Sequence, residues 1–185
     1  GRWAGELGLT EAQLHLRWED ARARLFAART TRIHPLKDDK VLTDWNGLMI
    51  AALAQGARVL GGRGYVEAAE KAARFILATL HGSDGRLFHR FREGERAING
   101  QAGDYAFFIY GLLHLYRSTF DVAWAEKAAA LQEVMLKELW DEAGGGFVLV
   151  GAQNQELPVR PKELYDGAVP TANSVALMNL LWLSR

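Results

Sequence analysis

The sequence has no cysteine among its 185 residues. Disulfides, thiolate nucleophiles and cysteine-based zinc sites are thereby excluded within the chain, which fits a reducing compartment and the expectation of a cytoplasmic protein. Neither sign of charge is in excess, since 22 basic and 22 acidic residues leave a formal net charge of zero. Without a basic field, nucleic acid and anionic membrane surfaces are not expected partners. The uncharged runs are helix-sized but carry Asn, Gln, Gly and Ala and follow polar loops, so they read as buried helices rather than membrane spans. No signal-peptide pattern opens the chain. The chain starts at Gly1 without Met and stops at Arg185 while an apolar helix is still running, as expected of a piece of something longer.

Hydrophobic residues make up 49% and charged residues 24%, a globular composition with enough chain for one helical domain over 1–185. Thr10 and Gln13 have capping-box spacing, and a charged helix follows to about residue 29 with Leu14, Trp18, Ala21, Leu25 and Ala28 on an inward side. After a loop with Pro35, Thr43 or Asp44 caps a second helix to about residue 60. That helix carries no charge between Asp44 and Arg58, which predicts burial on every side. A third helix, 65–80, is amphipathic. A hairpin turns at Glu93-Gly94. The fourth helix starts between Gln101 and Asp104 and is again uncharged up to Arg117. The fifth, 121–140, is amphipathic, and a strand-like segment follows at 147–150. A loop with Pro158, Pro161 and Pro170 leads to an uncharged last helix from about Thr171.

Charged and uncharged helices therefore alternate, as outer and inner helices would. A weak internal repeat accompanies them: residues 80–88 and 139–147 each leave an outer helix, turn on acid and glycine, and place an aromatic in a short extended segment. This pattern predicts an all-α fold, a partial α/α toroid with short β-hairpins between repeats; a plain α-solenoid or irregular bundle is the alternative. In a toroid the inner helices start at one end. The loops at 37–46, 99–105 and 162–173 would meet there and form a polar pocket, with free N–H groups favouring oxygen-rich ligands.

Three segments carry a resemblance. Asp38-Asp39-Lys40-Val41-Leu42-Thr43-Asp44-Trp45-Asn46-Gly47-Leu48-Met49-Ile50 is the first. Asp104-Tyr105-Ala106-Phe107 with Gly111-Leu112-Leu113 is the second. Lys162-Glu163-Leu164-Tyr165-Asp166-Gly167-Ala168 with Asn173-Ser174-Val175-Ala176 is the third. In this order they resemble the signature segments of the spermatogenesis-associated protein 20-like proteins. The resemblance implies a toroid of the six-hairpin glycosidase and N-acylglucosamine 2-epimerase type, of which this chain would hold about half. It also implies a thioredoxin-like domain in the full-length protein, absent here. The chain departs from the family pattern at Asp44, where a small residue or serine is usual, at Gly103, where an acid is usual, and at Thr171-Ala172, where Ser-Gly is usual.

The candidate catalytic groups are Asp38, Asp39, Asp104 and Asp166, as acid/base or hydroxyl-binding carboxylates. Each has a plainer reading as a loop or helix-start acid. Trp45 and Tyr105 are candidate ring platforms, and Asn46, Tyr165 and Asn173 candidate polar contacts. His34, in the first polar loop, and His89, in the hairpin, are the histidines able to reach such a pocket. No histidine pair has metal-ligand spacing and no phosphate loop is present, so neither metal nor cofactor is expected. Two functions stay open: a carbohydrate-active domain (sugar binding, hydrolysis or epimerisation) and a non-catalytic module serving a thioredoxin-like domain. Two carboxylates facing one cavity at roughly 5–10 Å would favour the first, and carboxylates engaged in helix caps the second.

Overall fold

Apolar residues at helical spacing dominate the sequence, and the computed structural model, which describes residues 2–151 and 159–185, is built mainly of helix. Pro158, assigned above to a loop, lies outside the described residues. The chain divides into two compact units, Gly1–Asp39 and Lys40–Arg185, where the sequence reading takes 1–185 together. In the first unit, α1 (Arg2–Glu6) precedes α2 (Glu11–Thr30). The capping box forms: Gln13 N–H donates to Thr10 Oγ1 at 3.2 Å, and Thr10 N–H donates to Gln13 Oε1 at 2.9 Å. The inward side expected for α2 is not buried, and Trp18 and Leu25 are 66% and 72% exposed.

The second unit runs β1 (Val41–Leu42), α3 (Thr43–Leu60), α4 (Arg63–Thr79), β2 (Phe88–Arg92), β3 (Glu95–Asn99), α5 (Ala102–Thr119), α6 (Val122–Leu139) and α7 (Ala172–Leu183). The strands form one antiparallel sheet in the order β1-β2-β3, with Leu42 opposite Arg90 and Arg90 opposite Ala97. The β2–β3 hairpin turns at Glu93 and Gly94, both at positive φ, as a tight two-residue turn requires. The internal repeat is structural: the bridges His81–Leu87 and Trp140–Phe147 close equivalent turns after α4 and α6. The second copy stops there, so the strand-like segment expected at 147–150 is a single bridge and not a regular strand.

Helix α5 is the centre of this unit. It packs on α3, α4, α6 and α7. Its uncharged stretch is enclosed, with Phe108, Ile109, Leu112 and Leu115 fully buried. Polar fasteners cross between these helices: Asn179 Nδ2 of α7 donates to Ala106 O at 2.8 Å, and Ser118 Oγ of α5 lies 2.8 Å from Ala54 O of α3. The crossing of α3 and α5 depends on two glycines. A Cβ at Gly47 would lie 2.4 Å from the Phe107 carbonyl carbon, and one at Gly111 would lie 2.7 Å from Gly47 O.

The expectation that α3 is buried on every side fails. Gly47, Ile50, Ala51 and Ala54 are buried, but Trp45 and Met49 are 64% and 58% exposed. Absence of charge marks a helix as inner without requiring a neighbour on each flank. The helix also starts without a side-chain cap. Thr43 is its first residue, and its hydroxyl donates to Phe88 O at 2.6 Å, binding the helix start to the sheet instead.

Two predictions follow from this packing. Gly47→Ala forces the α3 and α5 backbones apart and lowers unfolding stability by about 2–3 kcal/mol in urea denaturation. His114 is buried edge-on between Tyr110 and Trp182, and burial, with Arg58 and Arg117 adding to it, lowers its pKa to about 4. The unfolded chain binds this proton near 6.5. The contribution is therefore complete above that pH and lost as pH falls towards 4, amounting to about 3 kcal/mol. Denaturation across this range should show His114→Phe losing less stability on acidification than the parent protein.

Candidate functional site

The starts of α3, α5 and α7 converge on one cleft of about 660 Å³. Asp44 and Trp45 come from α3, Gln101, Gly103 and Phe107 from the start of α5, and Lys162–Tyr165 with Val169–Ala172 from the segment entering α7. The starts of α5 and α7 are set by local signals, whereas that of α3 is tied to the sheet through Thr43. Gln101 and Asp104 cap α5 reciprocally, and Thr171 caps α7 by accepting Ser174 N–H at 3.1 Å.

Asp104 is fully buried below the cleft. Its Oδ2 accepts Gln101 N–H at 2.8 Å and its Oδ1 accepts Asp44 N–H at 3.1 Å. His89 Nδ1 lies 2.9 Å from Oδ1 and 3.1 Å from Oδ2. A carboxylate that already accepts two backbone N–H groups is the acceptor here too, so His89 carries its proton on Nδ1. Hydrogen bonding to Asp104 raises the His89 pKa against the effect of burial. Burial pushes Asp104 upward, opposed by the hydrogen bonds from His89 and Gln101. The carboxylate expected to do chemistry thus joins the first turns of two helices to β2.

The other acids and amides serve similar ends. Asp166 Oδ1 accepts Thr171 N–H at 2.8 Å and Oδ2 accepts the Ser174 hydroxyl at 3.0 Å, bonds that lower its pKa. Asn46 Nδ2 donates to Leu42 O at 2.8 Å across the strand-to-helix junction. Asn173 accepts Phe147 N–H at 2.7 Å and donates to Phe147 O at 2.9 Å and to Glu163 O at 3.0 Å, so it acts as a strand partner for Phe147. Tyr105 is 2% exposed and its hydroxyl accepts Leu87 N–H at 3.0 Å, which makes it a core residue rather than a ring platform. Its pKa is raised by burial. Asp38, Asp39 and His34 are exposed on the extended end of the first unit.

Of the sequence-derived candidates, Trp45 and Tyr165 are those that line the cleft, at 64% and 87% exposure. Asp44, Gln101, Lys162 and Glu163 were not singled out as site residues and line it as well. Their signal was available: Asp44 adjoins Trp45, and Lys162-Glu163 directly precede Leu164-Tyr165. Asp44 Oδ1 accepts the backbone N–H of Trp45 at 2.7 Å, which fixes the carboxylate at the start of α3. Lys162 Nζ donates to Gly145 O at 2.6 Å and pairs with Asp141, whose pKa the ammonium lowers.

Among the described residues, Asp44, His89 and Asp104 bring ligand-type atoms within 4.8 Å of one another, a spacing that would suit a metal ion. Asp104 already accepts two backbone N–H groups and the Nδ1 proton of His89, and the Asp44 carboxylate accepts Trp45 N–H.

No family model matches the sequence. The chain is 37% identical to spermatogenesis-associated protein 20 of Rattus norvegicus over 96% of its own length, and it spans 25% of that relative. Among solved structures it is similar to cellobiose 2-epimerase from Spirochaeta thermophila, with TM-score 0.60 and 18% identity over 78% of this chain and 37% of that one. It is also similar to an unsaturated glucuronyl hydrolase from Bacillus sp. GL1, with TM-score 0.60 and 21% identity over 80% of this chain and 40% of that one. These likenesses make the fold a portion of an α/α toroid.

The geometry makes Asp104 the tie between the starts of α3 and α5 and β2. Asp104→Asn places an amide NH₂ against backbone donors and removes the charge facing His89. It should cost about 3 kcal/mol in chemical denaturation, and the His89 ring should titrate lower by NMR.

Proposed function

We propose that this chain, a homologue of a stretch of spermatogenesis-associated protein 20 built as part of an α/α toroid, forms a sugar-binding cleft at its inner-helix starts. The observation that carries this reading is the pairing of Trp45 and Tyr165, two exposed aromatics at one 660 Å³ cleft, with Asp44, Gln101 and Glu163 beside them. Exposed rings next to carboxylates and amides match the two faces of a sugar, apolar C–H on one side and hydroxyls on the other. The structural likeness to a sugar epimerase and a glycoside hydrolase supports a carbohydrate-active ancestry.

Binding rather than hydrolysis is the function read here, because two of the four candidate acid/base carboxylates are engaged elsewhere. Asp104 is committed to two helix starts and His89, and Asp166 to the cap of α7. That same observation favours a second reading, a non-catalytic module that works beside a thioredoxin-like domain of a longer protein. The chain covers about a quarter of the relative it matches, so the activity of the whole protein belongs to this proposal.

Titration of glucose and cellobiose against the protein, followed by tryptophan fluorescence, tests it. Saturable quenching is expected, with Trp45→Ala weakening affinity about tenfold. Absence of sugar binding, or binding indifferent to Trp45→Ala, would remove the sugar reading and leave the module reading.

A further inference from the structure

Helix starts present unpaired N–H groups and the positive end of the helix dipole, which ordinarily recruit anions. At this cleft the chain supplies its own. Asp104 accepts N–H groups at the starts of α3 and α5, Asp44 accepts Trp45 N–H within α3, and Asp166 accepts Thr171 N–H at α7. The positive ends are answered before any ligand arrives. Lys162 is the basic side chain in the lining, and its ammonium lies 2.5 Å from the Asp141 carboxylate while also donating to Gly145 O. His89 lies near Asp44, but its Nδ1 proton goes to Asp104. Asp44 and Glu163 then add two carboxylates to the lining itself. Among the described residues lining the cleft, the carboxylates of Asp44 and Glu163 face a ligand while the one basic side chain, Lys162, is paired with Asp141.

We infer that the cleft, on the sugar-binding reading above, selects uncharged and amine-bearing sugars and rejects sugars carrying a carboxylate or phosphate, with Asp44 and Glu163 as the selecting residues. The ring platforms recognise the apolar face common to all these sugars, so discrimination falls to the carboxylates. Their effect is electrostatic and reaches across the cleft without direct contact.

The test is a parallel titration of glucose, glucosamine and glucuronate near neutral pH and low ionic strength. Glucosamine should bind at least as tightly as glucose, and glucuronate about tenfold more weakly. The gap should narrow as salt approaches about 1 M. Glu163→Gln, on an exposed side chain, should narrow it too, as should Asp44→Asn, which keeps an oxygen for Trp45 N–H. Glucuronate binding as tightly as glucose, or a gap that neither substitution changes, would overturn the inference while leaving the sugar reading intact. Failure of all three sugars to bind would overturn both.

Discussion

One buried carboxylate holds the site end of this molecule together. Asp104 takes an N–H from the residue that caps its own helix, another from the first turn of α3, and the Nδ1 proton of His89 on β2. A charge with no solvent contact is tolerable only when its oxygens are fully engaged, and here the engagement is also the architecture. Two inner helices and the sheet meet at one carboxyl group. The glycine crossing of Gly47 and Gly111 then lets α3 and α5 approach to backbone contact. With this pair of constraints in place, the starts of α3 and α5 can only lie side by side, and Trp45 is carried to the rim of the cleft beside them.

Much of the fold was legible in the residues. The alternation of charged and uncharged helices, the capping box at Thr10 and Gln13, the approximate helix starts near Gln101, Asp121 and Thr171, and the turn at Glu93-Gly94 rest on short-range signals, so local sequence reveals them, although the cap expected from Thr43 or Asp44 does not form. The repeat was legible because both copies solve the same problem, leaving an outer helix through an acid-and-glycine turn. The roles of the site residues were not. Asp104 was recognisable as a helix-start acid, but its partner at Asp44 is 60 residues away and its partner His89 lies on a strand. Asn173 and Asn46 carried the right chemistry for a ligand and use it on backbone at Phe147 and Leu42. A single sequence shows that a polar side chain needs a partner without showing which group supplies it.

The division of labour at the cleft follows from this. Asp104 and Asp166 spend their oxygens at helix starts, while Trp45, Tyr165, Asp44 and Glu163 line the cleft. In this chain the buried carboxylate Asp104 is engaged in structural hydrogen bonds, and the exposed aromatic and acidic groups are the ones proposed for recognition.

The most direct test of this division is NMR of the protein with and without a saturating neutral sugar, observing the Trp45 indole N–H, the Tyr165 ring, the His89 ring nitrogens and the Asp104 carboxyl carbon together. The account predicts shifts at Trp45 and Tyr165 with His89 and Asp104 unmoved, still joined to one another through Nδ1. Shifts confined to His89 and Asp104, with Trp45 silent, would contradict it and return the chemistry to the buried pair.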